Sequence, residues 1–173
     1  MNLRLAKKSD LPQLKAMYEK IIDNMNKNHI QIWDEIYPCE FFQDDIENKS
    51  LYILTEDNDI VAAFALCESN DGEDHLKWRN VKEKALYIDR LGVNVNYLRQ
   101  GIGGLMLKNA MELAKRKNAK YLRLFVVDIN KPAINLYLKS GLKRVDGIYE
   151  ERVDDFVLRE YGFEMEIAGT PYS

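Results

Sequence analysis

Among 173 residues there are only two cysteines, two histidines and four prolines. Each scarcity removes a class of explanation. Cys39 and Cys67 are too few for a disulfide framework and lack metal-ligand spacing, so both are expected as small buried apolar residues and no metal is expected. His29 and His75 fall in polar stretches without a recognisable nucleophile partner, which argues against Ser/His or Cys/His catalysis. Positive charge is not in excess: 25 Lys and Arg against 28 Asp and Glu leave a net charge of −3, which disfavours a broad nucleic-acid surface. The longest uninterrupted apolar run, Ile60–Cys67, is far short of a membrane span. Charges at Arg4, Lys7 and Lys8 interrupt any signal-peptide core, so a cytoplasmic setting is expected. There is no internal repeat and no low-complexity segment.

What is present describes an ordinary globular chain, 46% hydrophobic and 31% charged, long enough for one domain with a real core. A short strand over Asn2–Ala6 precedes Ser9 and Asp10, which read as an N-cap pair before Pro12. Leu11, Leu14, Met17, Tyr18, Ile21, Ile22 and Met25 then recur at helical spacing. A second, short helix is expected over about Glu40–Glu47. Leu51–Thr55 and Ile60–Glu68 form a hairpin about a polar turn. Ser69–Lys84 is highly charged and reads as an exposed, solvated loop. Ala85–Val95, Tyr121–Val127, Lys143–Tyr149 and Phe156–Ile167 are predicted strands. Helices are predicted at Gly103–Lys117 and at Pro132–Ser140, the second closed by Gly141. Glu150–Asp155 is expected as an acidic loop, and 169–173 as a loose tail after a domain of 1–168.

The most informative stretch is Leu91–Met111. An apolar strand stops near Asn96, and Arg99, Gln100, Gly101, Gly103 and Gly104 make a glycine-rich turn before a helix. A helix N-terminus offers unpaired N–H groups and partial positive charge, and glycines let an anion approach the backbone. A plain tight connection is the competing reading. The dinucleotide fingerprint fails because Met106 stands where its third glycine belongs, and no Gly-Lys-Ser/Thr ends the turn.

Two further pieces follow in order: Asn130-Lys131-Pro132-Ala133-Ile134-Asn135-Leu136-Tyr137 and Tyr137-Leu138-Lys139-Ser140-Gly141-Leu142. With Gln100–Gly104 they resemble the GCN5-related N-acetyltransferase (GNAT) superfamily, through its Asn-x-x-Ala-x-x-x-Tyr helix and Tyr-x-Lys-x-Gly-Phe ending. The resemblance implies a single α/β domain: a mixed central sheet of about seven strands with helices on both faces, splayed at its central parallel pair. It implies transfer of an acetyl group from acetyl-CoA, as cosubstrate, to an amine by direct attack in a ternary complex. The alternative is a catalytically silent CoA-binding or protein-interaction module on the same fold.

The resemblance also assigns residues. Arg99, Gln100, Gly101, Ile102, Gly103 and Gly104 would cradle the pyrophosphate, chiefly through backbone amides. The family's Gln or Arg three residues before the first glycine is Leu98 here, with Arg99 following. Leu91, Gly92 and Val93 would pair with pantetheine, and the Leu91 amide would polarise the thioester carbonyl. Asn130 either caps its helix or contacts the pantetheine arm. Tyr137 is either a core aromatic or the acid that protonates the departing thiolate, and Lys139 would reach a phosphate. An acceptor amine with a pKa near ~10.4 must lose a proton before attack. Asp89 is the candidate base, with pairing to Arg90 or Lys84 as the competing reading. Alternatively Tyr87, which shares a strand face with Asp89 and Leu91, would hold a proton-carrying water in place of that base. The acceptor is expected against Trp33, Tyr37, Phe41, Tyr87, Tyr149 and Glu150, where the carboxylates of the 149–155 segment favour a cationic amine. No nucleic-acid or membrane partner is expected, and the chain is expected as a monomer or homodimer.

Overall fold

The computed structural model describes residues 1–168; the predicted tail lies outside the described residues. Twelve elements are relevant here: β1 (Asn2–Leu5), α1 (Leu11–Lys27), α2 (Phe42–Glu47), β2 (Leu51–Glu56), β3 (Asp59–Cys67), β4 (Ala85–Val93), α3 (Ile102–Arg116), β5 (Tyr121–Val127), α4 (Lys131–Lys139), β6 (Lys143–Arg144), β7 (Tyr149–Val153) and β8 (Phe156–Glu166). The strands follow the order β1-β2-β3-β4-β5-β8-β6, with β7 paired to β8. The protein is thus α/β with a mixed sheet, as expected, with eight strands where about seven are predicted. The chain divides into two compact units, Met1–Leu66 with Arg90–Met106, and Cys67–Asp89 with the chain from Leu107 onward.

In the first unit β1, β2 and β3 form an antiparallel meander. β3 is buried from Ile60 through Leu66, as expected for a strand covered on both faces. Pro12 lies in the first turn of α1, and Leu14, Met17, Tyr18, Ile21 and Ile22 form its buried stripe. Phe42 opens α2 and is fully buried, so it is a core residue. Both cysteines are only half-buried, short of the expected core placement, and burial pushes the Cys39 thiol pKa up.

In the second unit β4 and β5 are parallel, with Ala85–Ile88 in register with Tyr121–Leu124. β4 runs on beyond Ile88 to Val93. β8 pairs along the whole of β5. Three expectations need correction. Ser69–Lys84 is not a solvated loop: Leu76 and Trp78 are buried and pack with Tyr87 and Val145. A Cβ at Gly162 would fall 2.3 Å from Leu76 Cδ1, so only a bare backbone admits this segment. Next, Lys143–Tyr149 is not one strand: Lys143–Arg144 form β6, and Tyr149 already opens β7, each pairing with β8. Finally, Glu150–Asp155 is not a loop. Tyr149–Val153 is a strand, and Asp154, at φ 52°, turns it into β8. Its misleading polarity follows from its place: Glu150, Glu151 and Arg152 are all exposed.

Candidate functional site

β4 carries the site's central irregularity. Arg90 has φ 57°, a left-handed conformation that costs a non-glycine residue about 1–2 kcal/mol. Such a residue bulges a strand and breaks its strict alternation. Tyr87 and Asp89 therefore cannot be placed on one face with Leu91 by counting in twos. Arg90 is held by several groups of the same unit. Its Nε and Nη2 donate to the two carboxylate oxygens of Asp45 at 2.9 and 2.7 Å, both side chains being buried. Burial pushes the Asp45 pKa up, against the lowering pull of Arg90. The guanidinium lies 4.9 Å from the centre of the Phe41 ring. The Arg90 carbonyl accepts from the Tyr18 hydroxyl at 2.5 Å. Two residues on, Gly92 is buried against Tyr18; a Cβ there would stand 2.8 Å from Tyr18 Cζ. Leu91 and Val93 are half-buried beside it.

The glycine turn lies where the sequence places it. Asn94 accepts from the Asn96 amide and closes a short turn after β4. Arg99 (φ 62°) and Gly101 (φ 74°) are both left-handed and, with Gln100, exposed. Ile102, the first residue of α3, is buried and anchors the turn, and the Leu105 amide donates to the Gly101 carbonyl. A Cβ at Gly101 or Gly104 would meet nothing within 4 Å. The opening of α3 thus presents first-turn amides beside open space, a donor set suited to a phosphate.

In the second unit Asn130 caps α4, its side-chain oxygen accepting from the Ala133 amide at 3.3 Å. This supports the capping reading. Tyr137 is buried, with its ring 6.1 Å from that of Phe163. Burial pushes its phenol up to about 12, so it stays protonated at neutral pH. Lys139 ends α4, exposed, and Gly141 follows at φ 93° as the predicted closing glycine.

Asp89 accepts from Asn70 Nδ2 at 3.1 Å. Of the two cations near it in sequence, Arg90 donates to Asp45, and Lys84 to the Lys117 carbonyl at 2.8 Å. Asp89 also acts on Glu160. Burial first, then Glu151 and Asp89, push the Glu160 carboxyl up to about 8.

Tyr87 is buried in an aromatic group with Trp78 and Phe125, and its hydroxyl accepts from Arg123 at 3.4 Å. It borders a cavity of about 470 Å³ shared with Glu68, Glu73 and Glu83. Tyr149 stacks on His75 and meets Phe125 edge-on, while Glu150 is exposed opposite Arg159. Trp33 lies 5.7 Å from Tyr18, and Tyr37 meets Phe41 edge-on at 5.3 Å. The predicted acceptor residues therefore fall into two groups. Trp33, Tyr37 and Phe41 gather around Tyr18 and Arg90 in the first unit, and Tyr87 and Tyr149 around Phe125 in the second.

Sequence reasoning missed Tyr18, Asp45 and Glu160. Tyr18 reads as one more apolar position of α1, and Asp45 as one position within the short helix expected over about Glu40–Glu47. Glu160 had a usable signal, since it alternates with Gly162 and Glu164 on a face the charged pattern should have marked as unusual.

Comparison with known proteins bears on the family and the fold. The acetyltransferase (GNAT) family matches residues 14–142. An N-alpha-acetyltransferase of Sulfurisphaera tokodaii is 30% identical over 126 residues, covering 72% of this chain and 75% of that protein. A GNAT-family acetyltransferase structure from Streptococcus agalactiae superposes with a TM-score of 0.78 at 16% identity, covering 98% of this chain and 96% of that one. The structure of Salmonella typhimurium yncA with its cofactor acetyl-CoA superposes with a TM-score of 0.65 at 12% identity, covering 98% and 95%. With three quarters of its length inside the family match, the chain belongs to the acetyltransferase (GNAT) family.

Proposed function

We propose that this protein transfers the acetyl group of acetyl-CoA to an amine by direct attack, the domain spanning 1–168. The observation that carries the reading is the open start of α3, where Gly101 and Gly104 leave room beside first-turn amides. When bound, acetyl-CoA supplies the activated acetyl thioester. Arg99–Gly104 hold its pyrophosphate and Lys139 a phosphate. Leu91, Gly92 and Val93 pair with its pantetheine arm, and the Leu91 amide hydrogen-bonds to the carbonyl oxygen of the thioester. Asn130, already capping α4, supports the arm. A new C–N bond forms as the C–S bond breaks. Tyr137, kept protonated by burial, gives its proton to the leaving sulfur. Asp89 takes one proton of the acceptor's ammonium before attack, and the second N–H proton, lost as the amide forms, restores the Tyr137 phenol.

The acceptor packs against Trp33, Tyr37, Phe41, Tyr87, Tyr149 and Glu150. Carboxylates at Asp89, Glu150 and Glu151 favour a cationic amine. Among the described residues no helix is long and apolar enough to cross a membrane. We place the enzyme in the cytoplasm, as monomer or homodimer. Calorimetric titration tests the cofactor half of the proposal. Saturable acetyl-CoA binding is expected, and a flat titration at high micromolar ligand would remove the basis for every role above.

A further inference from the structure

We propose that Tyr18 and Asp45 are positioning residues that lock the Arg90 bulge and thereby aim the Leu91 amide. The inference rests on the reading of Leu91 as the donor to the thioester oxygen. The residues concerned all belong to the first unit.

The bulge is not a conformation that its own residue favours. Arg90 carries a Cβ, yet sits at φ 57° where glycine is the ordinary occupant. Something must hold it there, and the structure shows two holds acting on different parts of the residue. On the side chain, Asp45 takes both guanidinium donors, at 2.7 and 2.9 Å. A bidentate pair fixes direction as well as distance. On the main chain, the Tyr18 hydroxyl donates to the Arg90 carbonyl at 2.5 Å. That carbonyl belongs to the same peptide plane as the Leu91 amide. Fixing the oxygen of a planar peptide fixes its N–H, which points the opposite way. Tyr18 therefore orients the proposed donor through one rigid group.

The hold is itself well supported. Tyr18 is fully buried, with Phe42 edge-on at 4.8 Å and Trp33 at 5.7 Å. Its ring fills the space a side chain at Gly92 would need, so the strand cannot slide past it. Burial pushes the phenol pKa far up, which keeps the donated proton in place at any working pH. The Asp45 carboxylate comes from α2, so α1 and α2 each contribute one hold on a single residue of β4.

The test uses Tyr18→Phe, which keeps the ring packing and removes only the hydroxyl, and Asp45→Asn as a second variant. Amide hydrogen exchange in the free protein reads the lock without any ligand. Exchange across Arg90–Val93 should quicken about tenfold or more in both variants. Turnover should fall about tenfold or more, while the KM for acetyl-CoA stays within about twofold, because the loss is confined to orientation of a transition-state donor. Asp10→Asn, which breaks the Arg4–Asp10 pair in the same unit, controls for loss of an ion pair and should leave both readouts unchanged. Wild-type exchange and turnover in Tyr18→Phe would overturn the lock. The Leu91 role is read separately, from the Leu91 amide shift in the wild type with acetyl-CoA against CoA. No difference there would sink the donor role even if the variants loosen the strand.

Discussion

Arg123 on β5 and Glu164 on β8 stand opposite each other in register and pair at 3.1 Å, with both side chains almost sealed from water. The pair also organises the segment above it. Glu164 accepts from the Arg79 amide at 3.0 Å, Arg123 donates to the Arg79 carbonyl at 2.7 Å, and the guanidinium lies 5.0 Å from the centre of the Trp78 ring. Removing one partner leaves a buried charge uncompensated. Glu164→Ala is expected to lower stability by about 3 kcal/mol or more, measured by urea unfolding. A loss below about 1 kcal/mol would mean that water reaches Arg123 easily.

Glu160 gives a pH dependence with a definite sign. Its folded pKa is raised, by burial first and then by Glu151, to about 8. Between an ordinary glutamate pKa near ~4.3 and that value, the folded state holds a proton that the unfolded state has released. Stability therefore falls as pH rises through this window and levels off above it. Glu160→Gln should flatten the decline and be the more stable protein at pH 8, measured by thermal unfolding across the pH range. Parallel curves for both proteins would place the titration elsewhere.

Tyr137→Phe keeps the packing against Phe163 and removes only the phenolic proton. Turnover should drop about tenfold to a hundredfold, with acetyl-CoA affinity nearly unchanged. Because burial holds the phenol up at about 12, it does not titrate in the usual assay range. Any basic limb of the pH–rate profile should survive the substitution. A limb that disappears with the hydroxyl would contradict this assignment.

Gly104→Val separates a binding turn from a connecting one. A Cβ at this position meets nothing in the protein, and valine has a slightly better helix propensity than glycine, so the direct effect on stability is small. The melting temperature should hardly move, yet acetyl-CoA affinity should weaken about tenfold or more, since the side chain occupies the approach to the first-turn amides. Unaltered affinity with unaltered stability would leave the turn as a connector only.

How much of this was legible in the sequence differs by element. The turn at Arg99–Gly104 and the helix from Asn130 to Tyr137 were readable because their signals are local: glycines, a cap, a proline and an apolar period. The Arg90 bulge was not. Its causes lie 45 residues away at Asp45 and 72 residues away at Tyr18, and no pattern around Arg90 announces a positive φ. Glu150–Val153 of β7 reads as loop because an exposed strand lacks the apolar alternation that marks a half-buried one. Trp78 was hidden for a related reason: charges flank it on both sides, while its place over Arg123 depends on strands far along the chain. The bonds of Arg90 to Asp45 and of Lys84 to the Lys117 carbonyl were equally out of reach, since both partners lie far along the chain.

Acetyl transfer itself is tested most directly by following free-thiol release from acetyl-CoA against a panel of amines, from monoamines and polyamines to peptides with a lysine or a free N-terminus, with products identified by mass spectrometry. The account predicts saturable, amine-dependent thiol release matched mole for mole by an N-acetylated product, strongest among cationic acceptors. Saturable acetyl-CoA binding with thiol release no faster than spontaneous hydrolysis, and no acetylated product from any amine, would contradict it and leave a silent coenzyme A binder.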